Sequence, residues 1–477
     1  MPRQPASAGR ALPERTLVVD NGGYTIKAGY ATTETPDASK ECHVIPNCMT
    51  RSRDKKIWIG AQLDKCRDFG EMAFRRPVEK GYPVNWEAEK EIWDHSLFDK
   101  KGAIKCDPHD TNLILTEAPN ALPILQTNCD QIIFEEYEFA SYYRCIGPSL
   151  NAYNDTRSLF EDPPQQDTTP IAPAECLLVV DSGFSHTTIT PLYRGQPINT
   201  AIRRLEIGGK FLTNYLKELV SVRHYNMMDE THLMNEVKEA VSFVSSNFSR
   251  DLEGTWKGNR NRKPSRPRRR SHQDNDSRDD STKNNNDDRD GKNDDDIVID
   301  YVLPDYNIDS KGYMRPHDSL HAAKLRKLGA GAAGGKSEDF MTLGNERFVV
   351  PELLFSPGDV GMKQAGIPGA VMQCLSVLPE ALWPAMLANI MVVGGNANIR
   401  GFVERLEHDI RALAPSKYPT RVVKSADPIK STWTGGARLA TNRDALKHLV
   451  VTRQEYQEHG SGWLAKKFGL GAGQFST

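Results

Sequence analysis

Two short segments of this sequence combine an aspartate with a glycine turn at the end of an apolar strand. The first reads LVVDNGGYTIKAGYA over residues 17–31, and the second reads LLVVDSGFSHTTITPLY over residues 177–193. Glycine-rich turns let backbone N–H groups converge on phosphate oxygens, and a strand-end aspartate can hold a cation or its water. Two such hairpins that face each other would clamp a triphosphate. Spacing alone does not distinguish this arrangement from two ordinary β-hairpins.

The residues that could carry this chemistry occupy equivalent places in the two hairpins. They are the strand-end acids, the turn residues and one basic side chain: Asp20, Asn21, Gly22, Gly23 and Lys27 in the first hairpin, and Asp181, Ser182 and Gly183 in the second. Lys27 would supply a point charge for the phosphates. The repetition suggests an internal duplication, with the two copies separated by about one domain length.

Strand-like and helix-like segments alternate along most of the chain, which indicates an α/β fold. Apolar and β-branched runs predict strands at 16–20, 113–116, 176–181 and 390–393, and helical periodicity marks 213–220 and 237–248. The strand at 390–393 runs into Gly394 and Gly395, and an apolar helical pattern follows over 402–414. This third segment therefore has the order strand, glycine loop, helix.

The composition excludes several classes of protein. The chain has 477 residues, a formal net charge of −2 and 38% hydrophobic residues, which is enough for two or more domains with sizeable cores. No window approaches the roughly 18–20 apolar residues of a membrane helix, and the N-terminus lacks an apolar stretch of the secretory type. Eight cysteines without a Cys-x-x-Cys pair favour reduced thiols in the cytosol or nucleus over a disulfide framework.

One stretch of the chain has a composition that cannot form a core. Residues 257–296 contain no Ala, Val, Ile, Leu, Met, Phe, Trp, Tyr or Cys, so we expect them to be disordered. The stretch begins with a basic block, Lys257–Arg270, and continues with a mainly acidic one. A solvated tether and a nuclear-import or nucleic-acid patch both fit this pattern, and composition does not separate them.

Three further motifs imitate functional sites without the context that those sites require. Residues 329–337 read GAGAAGGKS, but no buried strand precedes them, so we interpret them as a flexible linker rather than a phosphate-binding loop. His317 and His321 have the spacing of a zinc-protease helix but lie in the same polar region, which disfavours metal binding. Cys42 and Cys48 lack a second ligand pair and are interpreted as structural.

Segments along most of the chain resemble the actin superfamily, in the same order. Besides the two hairpins, they are PVNWEAEKEIWDHSLF (83–98), LILTEAPN (113–120), QIIFEEYEFASYY (131–143), TLGNERFVVPELLF (342–355), VVGGNANIRGFVERLEHDIRALAP (392–415) and STWTGGARLA (431–440). The resemblance implies an α/β, actin-like ATPase fold, in which two lobes, each with a ribonuclease-H-like sheet, surround a nucleotide cleft.

The resemblance also implies how the chain is divided between these lobes. Residues 16–171 and 431–477 would form lobe I, and residues 172–430 would form lobe II. A largely disordered, charged insertion would occupy about 249–339 within lobe II, and residues 1–15 would form a flexible N-terminus.

An ATP site between the lobes is a further implication of the resemblance. Asp20 and Asp181 would hold Mg²⁺ indirectly, through water. The residues implied to surround the nucleotide are Asp20, Gly22, Gly23, Tyr24, Thr25, Lys27, Asp181, Gly183, Phe184, Ser185, Gly209, Lys238, Glu239, Gly394, Gly395 and Asn396. The residues from the two hairpins would face the phosphates, and those from Gly209 onward would surround the adenosine.

Departures from the actin pattern bear on activity. In the first hairpin Gly23 replaces a serine of actin and Tyr24 replaces a glycine, which brings a bulky ring into the phosphate loop; the sequence leaves open whether the ring turns into the cleft. In the second hairpin Phe184 and Ser185 replace an aspartate and a glycine. The catalytic glutamine that orients water in actin aligns with Gly147. Because phosphoryl transfer relies on positioning, we predict that ATP binds but is hydrolysed very slowly or not at all.

Within the superfamily the pattern is most similar to the actin-related protein 6 family, a nuclear branch, notably in EEYEFASYYRC at 135–145. The resemblance implies a scaffold subunit, without catalytic residues, of a Swr-type chromatin-remodelling complex. Such a complex exchanges a Z-type histone variant into nucleosomes, and its subunits include a zinc-finger protein. DNA contact by Lys257–Arg270 is a separate hypothesis. The alternative is a cytoplasmic, filament-forming actin-like ATPase; sugar kinases and heat-shock chaperones resemble the chain only in the phosphate hairpins.

Overall fold

Two β-sheets, each flanked by helices, organise the chain and confirm the predicted α/β class. The computed structural model describes residues 12–32, 38–70, 72–160, 174–256, 297–306, 311–318 and 339–469. We refer to the parts of the molecule built on the first and second sheets as lobe I and lobe II.

The sheet of lobe I has six strands. Their order across the sheet is Val451–Thr452, Ser141–Ile146, Thr111–Glu117, Arg15–Asn21, Thr25–Tyr30 and His43–Pro46. Arg15–Asn21 and Thr25–Tyr30 form an antiparallel hairpin, the first hairpin, while Arg15–Asn21 pairs in parallel with Thr111–Glu117. Ser141–Ile146 continues the parallel arrangement. The carboxyl ends of three neighbouring strands therefore meet at one edge.

The sheet of lobe II repeats this pattern. Its strand order is Gln196–Pro197, Thr187–Tyr193, Cys176–Ser182, Ile390–Val393 and Val422–Lys424, and Arg203–Leu205 also pairs with Thr187–Tyr193. Cys176–Ser182 and Thr187–Tyr193 form the second hairpin, and Cys176–Ser182 runs parallel to Ile390–Val393. In each lobe the first strand of an antiparallel hairpin is followed across the sheet by two further strands that run parallel to it. This is the repetition that the sequence indicated.

Helices cover both sheets. The α-helices are Trp86–Trp93, Pro123–Gln131, Gly147–Leu150, Arg157–Phe160, Gly209–Arg223, Thr231–Val241, Phe248–Trp256, Glu346–Glu352, Ile367–Leu375, Trp383–Ala388, Phe402–Leu413, Ser431–Thr441, Arg443–Leu449, Arg453–His459 and Ser461–Gly469. Short 3₁₀ segments are Ala38–Glu41, Gly60–Lys65, Pro108–Asp110, Asn151–Tyr153, Asn199–Ala201, Pro357–Val360, Glu380–Leu382 and Gly395–Asn398, and Asp94–Phe98 and Ile132–Glu136 are π-helical. None of the helices in the described ranges is long and apolar enough to cross a membrane.

The C-terminal part of the chain completes lobe I. Trp433, in the helix Ser431–Thr441, is fully buried, and its Nε1 donates a hydrogen bond to the carbonyl oxygen of Val18 at 3.1 Å. The same helix approaches the backbone at Leu150 so closely that a Cβ atom on Gly435 would lie 2.0 Å from the Leu150 carbonyl oxygen. The central strand of lobe I is therefore covered by residues that follow it by about four hundred positions.

Parts of the predicted insertion at about 249–339 are ordered on both of its flanks. A helix occupies Phe248–Trp256, and a three-stranded antiparallel sheet comprises Tyr313–Pro316, Ile299–Val302 and Phe340–Leu343. Tyr301 and Met341 in this sheet are buried, which gives it an apolar contact that the residues between 257 and 296 cannot provide. Residues 257–296, including the block Lys257–Arg270, lie outside the described residues.

Two other predicted limits differ from the structure. The N-terminal segment that was predicted to be flexible, residues 1–15, includes an ordered part. The Arg443 guanidinium donates three hydrogen bonds to this part, at the carbonyl oxygens of Leu12, Pro13 and Glu14. Residues 1–11, residue 171 at the predicted crossing between lobes and residues 329–337 lie outside the described residues.

The helical pattern at 237–248 does not form one helix. The helix Thr231–Val241 ends before Phe243, whose backbone N–H donates to the carbonyl oxygen of Arg347, and the N–H of Val244 donates to that of Arg400. These tertiary hydrogen bonds replace the helical ones at the break.

The cysteine and histidine motifs form no composite site in the described residues. All eight cysteines are described and are free thiols, of which Cys66 alone is half-buried and the others are buried. His317 Nδ1 lies 2.8 Å from Asp300 Oδ1, and His321 lies outside the described residues.

A carboxyl group is buried directly beneath the first hairpin. Glu89 is 0% exposed, and its Oε1 accepts hydrogen bonds from Trp93 Nε1 at 3.1 Å and from Asn47 Nδ2 at 3.4 Å. Asn47 Nδ2 also donates to the carbonyl oxygen of Gly22 at 3.0 Å. Burial raises the pKa of Glu89 to about 7, although hydrogen bonds from Asn21, Asn47 and Trp93 act in the opposite direction. The first hairpin therefore rests on a group that titrates near neutral pH.

Gly435→Ala should destabilise the junction between the C-terminal helix and lobe I. The added Cβ would lie 2.0 Å from the Leu150 carbonyl oxygen, so the helix or the backbone must move, at a cost of about 1–3 kcal/mol. We expect thermal unfolding to shift down by several degrees. Gly462→Ala is the matched control, because nothing lies within 4 Å of a Cβ there and alanine is the better helix former. Equal melting temperatures for the two variants would contradict the packing described.

Glu89→Gln should remove a pH dependence of stability. Because the folded-state pKa is raised from 4.5 to about 7, the folded chain retains a proton that the unfolded chain loses between these values. The free energy of unfolding therefore falls as pH rises from 4.5 to about 7 and levels off above it, by on the order of 3 kcal/mol for this group. We expect the variant to show a flatter pH profile of melting temperature and greater stability than wild type at about pH 8.

Glu87→Gln provides the control for that experiment, because Glu87 lies on the same helix with a side chain that is 84% exposed. It should leave the pH profile unchanged. A Glu89→Gln profile that follows the wild type from about pH 5 to about pH 8 would contradict the assignment.

Candidate nucleotide-binding site

A cavity of about 400 Å³ lies between the first and second hairpins. It is lined by every residue that the sequence placed around a nucleotide: Asp20, Gly22, Gly23, Tyr24, Thr25, Lys27, Asp181, Gly183, Phe184, Ser185, Gly209, Lys238, Glu239, Gly394, Gly395 and Asn396. Residues separated by more than three hundred positions are thus brought to one cleft between the lobes. That they bind a nucleotide remains a prediction.

The first hairpin is shaped by glycine and by a neighbouring strand. A Cβ atom on Gly22 would lie 2.7 Å from the carbonyl oxygen of Thr25, so this turn closes around a residue without a side chain. Thr116, at the end of the adjacent parallel strand, accepts a hydrogen bond from the Asn21 N–H at 3.0 Å. The Thr116 hydroxyl also donates to Asp20 Oδ1 at 2.8 Å. One strand end therefore fixes both the turn and its acid.

The second hairpin is braced by the glycine turn that follows the strand Ile390–Val393. Asn396 Nδ2 donates to Ser182 Oγ at 3.1 Å and to the carbonyl oxygen of Gly183 at 3.0 Å. Gly394 has a φ of +90°, and a Cβ there would lie 2.3 Å from the Ser182 carbonyl oxygen. Only glycine combines this conformation with so close an approach, which explains the first glycine of the pair that the sequence places after this strand.

Two strand-end acids and one lysine carry the charges at the hairpin end of the cavity. Lys27 Nζ lies 3.3 Å from Asp20 Oδ2. Burial in the cleft, together with the nearby Asp20 carboxylate, raises the pKa of Asp181 to about 6, although Lys27 acts in the opposite direction. A cation bound near Asp20 and Asp181 would relieve this repulsion.

The donor set suits Mg²⁺ held largely through water. Mg²⁺ keeps several waters and is commonly bound through one or two carboxylates together with substrate phosphates. In the described ranges no group of three or more His, Cys, Asp or Glu side chains could enclose a metal ion. Asp20 and Asp181 thus fit the indirect, water-mediated role that the resemblance implies for them.

Lys238 supports the cavity wall rather than offering its charge to a ligand. Its Nζ donates to the carbonyl oxygen of Gly209 at 3.2 Å, to Thr213 Oγ1 at 3.0 Å and to Asn235 Oδ1 at 2.8 Å. Burial lowers its pKa to about 8. Asn235 in turn donates to Glu239 Oε1 at 2.7 Å. Lys238 thereby fixes the start of the helix that begins at Gly209.

The structure answers the question that the sequence left open about Tyr24. Its ring extends across the cleft to lobe II, where it meets Phe184 with ring centroids 4.8 Å apart. Its hydroxyl accepts a hydrogen bond from Asn235 Nδ2 at 3.1 Å. The side chain therefore lies across the cleft and contacts the opposite lobe, while Tyr24 also lines the cavity between the hairpins.

Gly147 leaves the acid end of the cavity without a water-orienting side chain at that position. A Cβ there would lie 3.6 Å from Thr432 Cγ2, 3.7 Å from Thr116 Cβ and 3.8 Å from Asp20 Oδ1, all ordinary contact distances. The position thus faces Asp20 and has room for a Cβ atom, but glycine has no side-chain amide with which to orient a water molecule.

Several residues of the site were missed by sequence reasoning. Thr116 could have been found, because it ends the strand parallel to the first hairpin and strand ends of such sheets converge on ligands. Asn47, in a loop, contacts the first hairpin, and Asn235, in a helix, contacts the Tyr24 hydroxyl. No local sequence pattern predicts either contact. Arg76 likewise donates its hydrogen bonds to backbone carbonyl groups that are distant in sequence, those of Tyr24 and Asn47.

Comparison with known proteins places these features in a family. The sequence model described as Actin matches residues 11–469. The Actin-like protein arp6 of Aspergillus fumigatus is 54% identical over 473 residues, covering 96% of each chain. Actin-related protein 6 of Neurospora crassa is 50% identical, covering 98% of this chain and 97% of its own, and Actin-related protein 6 of Drosophila melanogaster is 32% identical, covering 94% and 98%.

These matches run through both hairpins, the helices between them and the C-terminal helices that complete lobe I. They agree with the resemblance that the hairpins and the ordered segments of the sequence indicated. The chain therefore belongs to the actin family, in the branch of the actin-related proteins 6.

Proposed function

We propose that this chain is a nuclear scaffold subunit of a Swr-type chromatin-remodelling complex, and that it binds ATP with very slow or no hydrolysis. The resemblance to actin-related protein 6 implies the complex and its exchange of a Z-type histone variant into nucleosomes. The observation that carries the proposal is the paired-hairpin cavity combined with glycine at position 147. Such a cavity retains the means to hold a nucleotide while lacking a group needed to use it.

The binding half of the proposal is supported by backbone geometry. Gly22, Gly183 and Gly394 line the cavity, and at Gly22 and Gly394 the backbone packs so closely that a Cβ atom would clash. Backbone N–H groups in such turns suit phosphate oxygens, and Lys27 adds a point charge at the first hairpin. Asp20 and Asp181 would hold Mg²⁺ through water, which neutralises phosphate charge when the ion is bound.

The proposed slow hydrolysis is supported by the absence of a side chain at position 147. Attack on the terminal phosphate requires a water placed in line with the breaking bond, and positioning supplies much of the rate in this chemistry. A Cβ on Gly147 would lie 3.8 Å from Asp20 Oδ1, but glycine has no side chain with which to hold water. Phe184 replaces a further polar residue of the actin pattern with an apolar ring.

The partners of the proposed scaffold are the other subunits of the complex, including a zinc-finger subunit, and nucleosomes or histones through them. Contact of Lys257–Arg270 with nucleosomal DNA is part of the proposal, supported by the charge of that block alone. The filament-forming cytoplasmic ATPase shares the fold but is opposed by Gly147 and Phe184.

Nucleotide content and turnover test the ligand part of the proposal. The full chain, purified without added nucleotide, is denatured and the released ligand is identified by chromatography; we expect ATP that persists for hours in the native protein. Asp181→Asn should weaken retention by about tenfold or more by disturbing the cation site, whereas Asp444→Asn, at a side chain 94% exposed, should not. Recovery of ADP, steady phosphate release or an empty wild-type protein would each contradict the proposal.

Affinity purification tests the assembly part. A tagged full-length chain purified from nuclei should carry a Swr-type ATPase subunit and a zinc-finger subunit in near-equal amounts, and a complex assembled without the chain should lose histone-exchange activity. Recovery of the chain alone, or its sedimentation as filaments with ATP, would contradict the scaffold role and favour the filament-forming alternative.

A further inference from the structure

Two residues that depart from the actin pattern in different hairpins meet across the cleft. Tyr24 belongs to the first hairpin in lobe I and Phe184 to the second hairpin in lobe II. Their ring centroids are 4.8 Å apart with an interplanar angle of 38°, within the range of attractive aromatic pairs. The contact therefore joins the two lobes at the phosphate loops.

Arg76 covers both rings. Its guanidinium carbon lies 4.6 Å from the centroid of Tyr24 and 5.3 Å from that of Phe184, both within the distance of a cation–π interaction. Its Nη1 donates to the carbonyl oxygens of Tyr24 and Asn47, each at 3.3 Å. The backbone of lobe I thus holds the guanidinium over the ring pair.

A hydrogen bond fixes the far end of Tyr24. Its hydroxyl accepts from Asn235 Nδ2, in the helix Thr231–Val241 of lobe II. Burial and the nearby Glu239 carboxylate raise the pKa of Tyr24 to about 12, so the hydroxyl stays neutral at physiological pH. Lobe II therefore contacts Tyr24 at two places, the ring through Phe184 and the hydroxyl through Asn235.

The ring pair forms a partition between two cavities. Tyr24 and Phe184 line the inner cavity between the hairpins, and they also line an outer cavity of about 690 Å³ together with Arg76, Lys210 and His232. Beside the rings, a Cβ on Gly23 would lie 2.3 Å from Ser185 Oγ, so the two turns touch there.

A second interlobe contact flanks the partition. The turn between Val78–Glu79 and Tyr82–Pro83 in lobe I meets lobe II through three contacts. Arg204 Nη2 donates to the carbonyl oxygen of Lys80 at 2.6 Å, and Lys210 Nζ lies 2.8 Å from Glu79 Oε2. A Cβ on Gly81 would lie 2.4 Å from His186 Cε1. This side of the cleft is therefore closed by the protein's own side chains.

We propose that Tyr24, Phe184 and Arg76 form an interlobe clasp that gates release of the nucleotide, an inference that rests on the proposed ATP site. The phosphate end of the inner cavity cannot open to the outer cavity until the two rings separate and the Arg76 guanidinium loses its contacts with both of them. Departures from the actin pattern at positions 24 and 184 thus act together, and they convert an exchangeable ligand into a retained one.

Dissociation kinetics of the full chain test the clasp. The protein is loaded with a fluorescent ATP analogue and chased with excess ATP. Tyr24→Leu and Phe184→Leu keep apolar bulk but lose the ring stack, and each should speed dissociation by about tenfold to a hundredfold. The double variant should dissociate no faster than the faster single variant, because both changes disable the same contact. Wild-type rates in the single variants, or effects that multiply in the double variant, would overturn the clasp.

Two controls separate ring stacking from general damage. Tyr24→Phe retains the ring and should dissociate within about threefold of wild type, since only the bond from Asn235 is lost. Tyr225→Leu replaces a tyrosine that is 47% exposed and outside both cavities, and should not change the rate. Thermal unfolding checks that every variant is folded. Tyr24→Phe that dissociates as fast as Tyr24→Leu would overturn the role of the ring.

Hydrogen exchange makes the clasp testable without a nucleotide. Backbone amides of residues 22–25 and 183–186 in the nucleotide-free wild type should exchange more slowly than in the Tyr24→Leu and Phe184→Leu variants, because separation of the rings exposes both turns. A wild type that holds no ATP but shows this protection would refute the proposed ATP site and support the clasp. Equal exchange in wild type and variants would overturn the clasp, whatever the nucleotide result.

Discussion

The structure depends on two like charges that the fold brings to the same place. Each sheet ends its first strand in an aspartate, and the two lobes point Asp20 and Asp181 into one cavity, where burial and mutual repulsion raise the pKa of Asp181. Lys27 is the cation that the described part of the chain supplies directly beside Asp20. Thr116 anchors Asp20, and the glycine turns leave backbone amides rather than further acids beside the pair. Much of the hydrogen bonding around the cleft serves to hold these two carboxylates in position.

Closure of the cleft follows from side chains on both hairpins and is independent of the acid pair. The rings of Tyr24 and Phe184, with Arg76 above them, join the lobes at one edge, while Lys238 fixes the wall behind them through three protein acceptors. The ring contacts tie the two lobes to each other across the cleft. That property suits a subunit whose contribution to an assembly is its shape.

Local patterns predicted the strands and the glycine turns, because each depends on residues adjacent in sequence, whereas the convergence of the two hairpins was implied by the resemblance to actin. Cys176–Ser182 and Ile390–Val393 were found as apolar runs, and the duplicated hairpins identified the two sheets. The direction of the Tyr24 ring was not predictable, since it is decided by Phe184 and Asn235, which lie more than one hundred and fifty positions away. The same holds for the helix break after Val241, where tertiary hydrogen bonds override a continuous helical pattern.

The position of Trp433 has a consequence for the way the chain acquires its structure during translation. Its indole covers Val18 in the first strand of the chain. The apolar face of that strand is therefore enclosed only after the helix Ser431–Thr441 has been synthesised. Lobe II, by contrast, has all the strands of its sheet by residue 424. Vectorial synthesis, which favours domains that finish early, therefore leaves the sheet of lobe I without its edge strand Val451–Thr452 and its covering helix until the end of synthesis. A chain interrupted before the helix Ser431–Thr441 would expose an uncovered apolar sheet to the chaperone machinery.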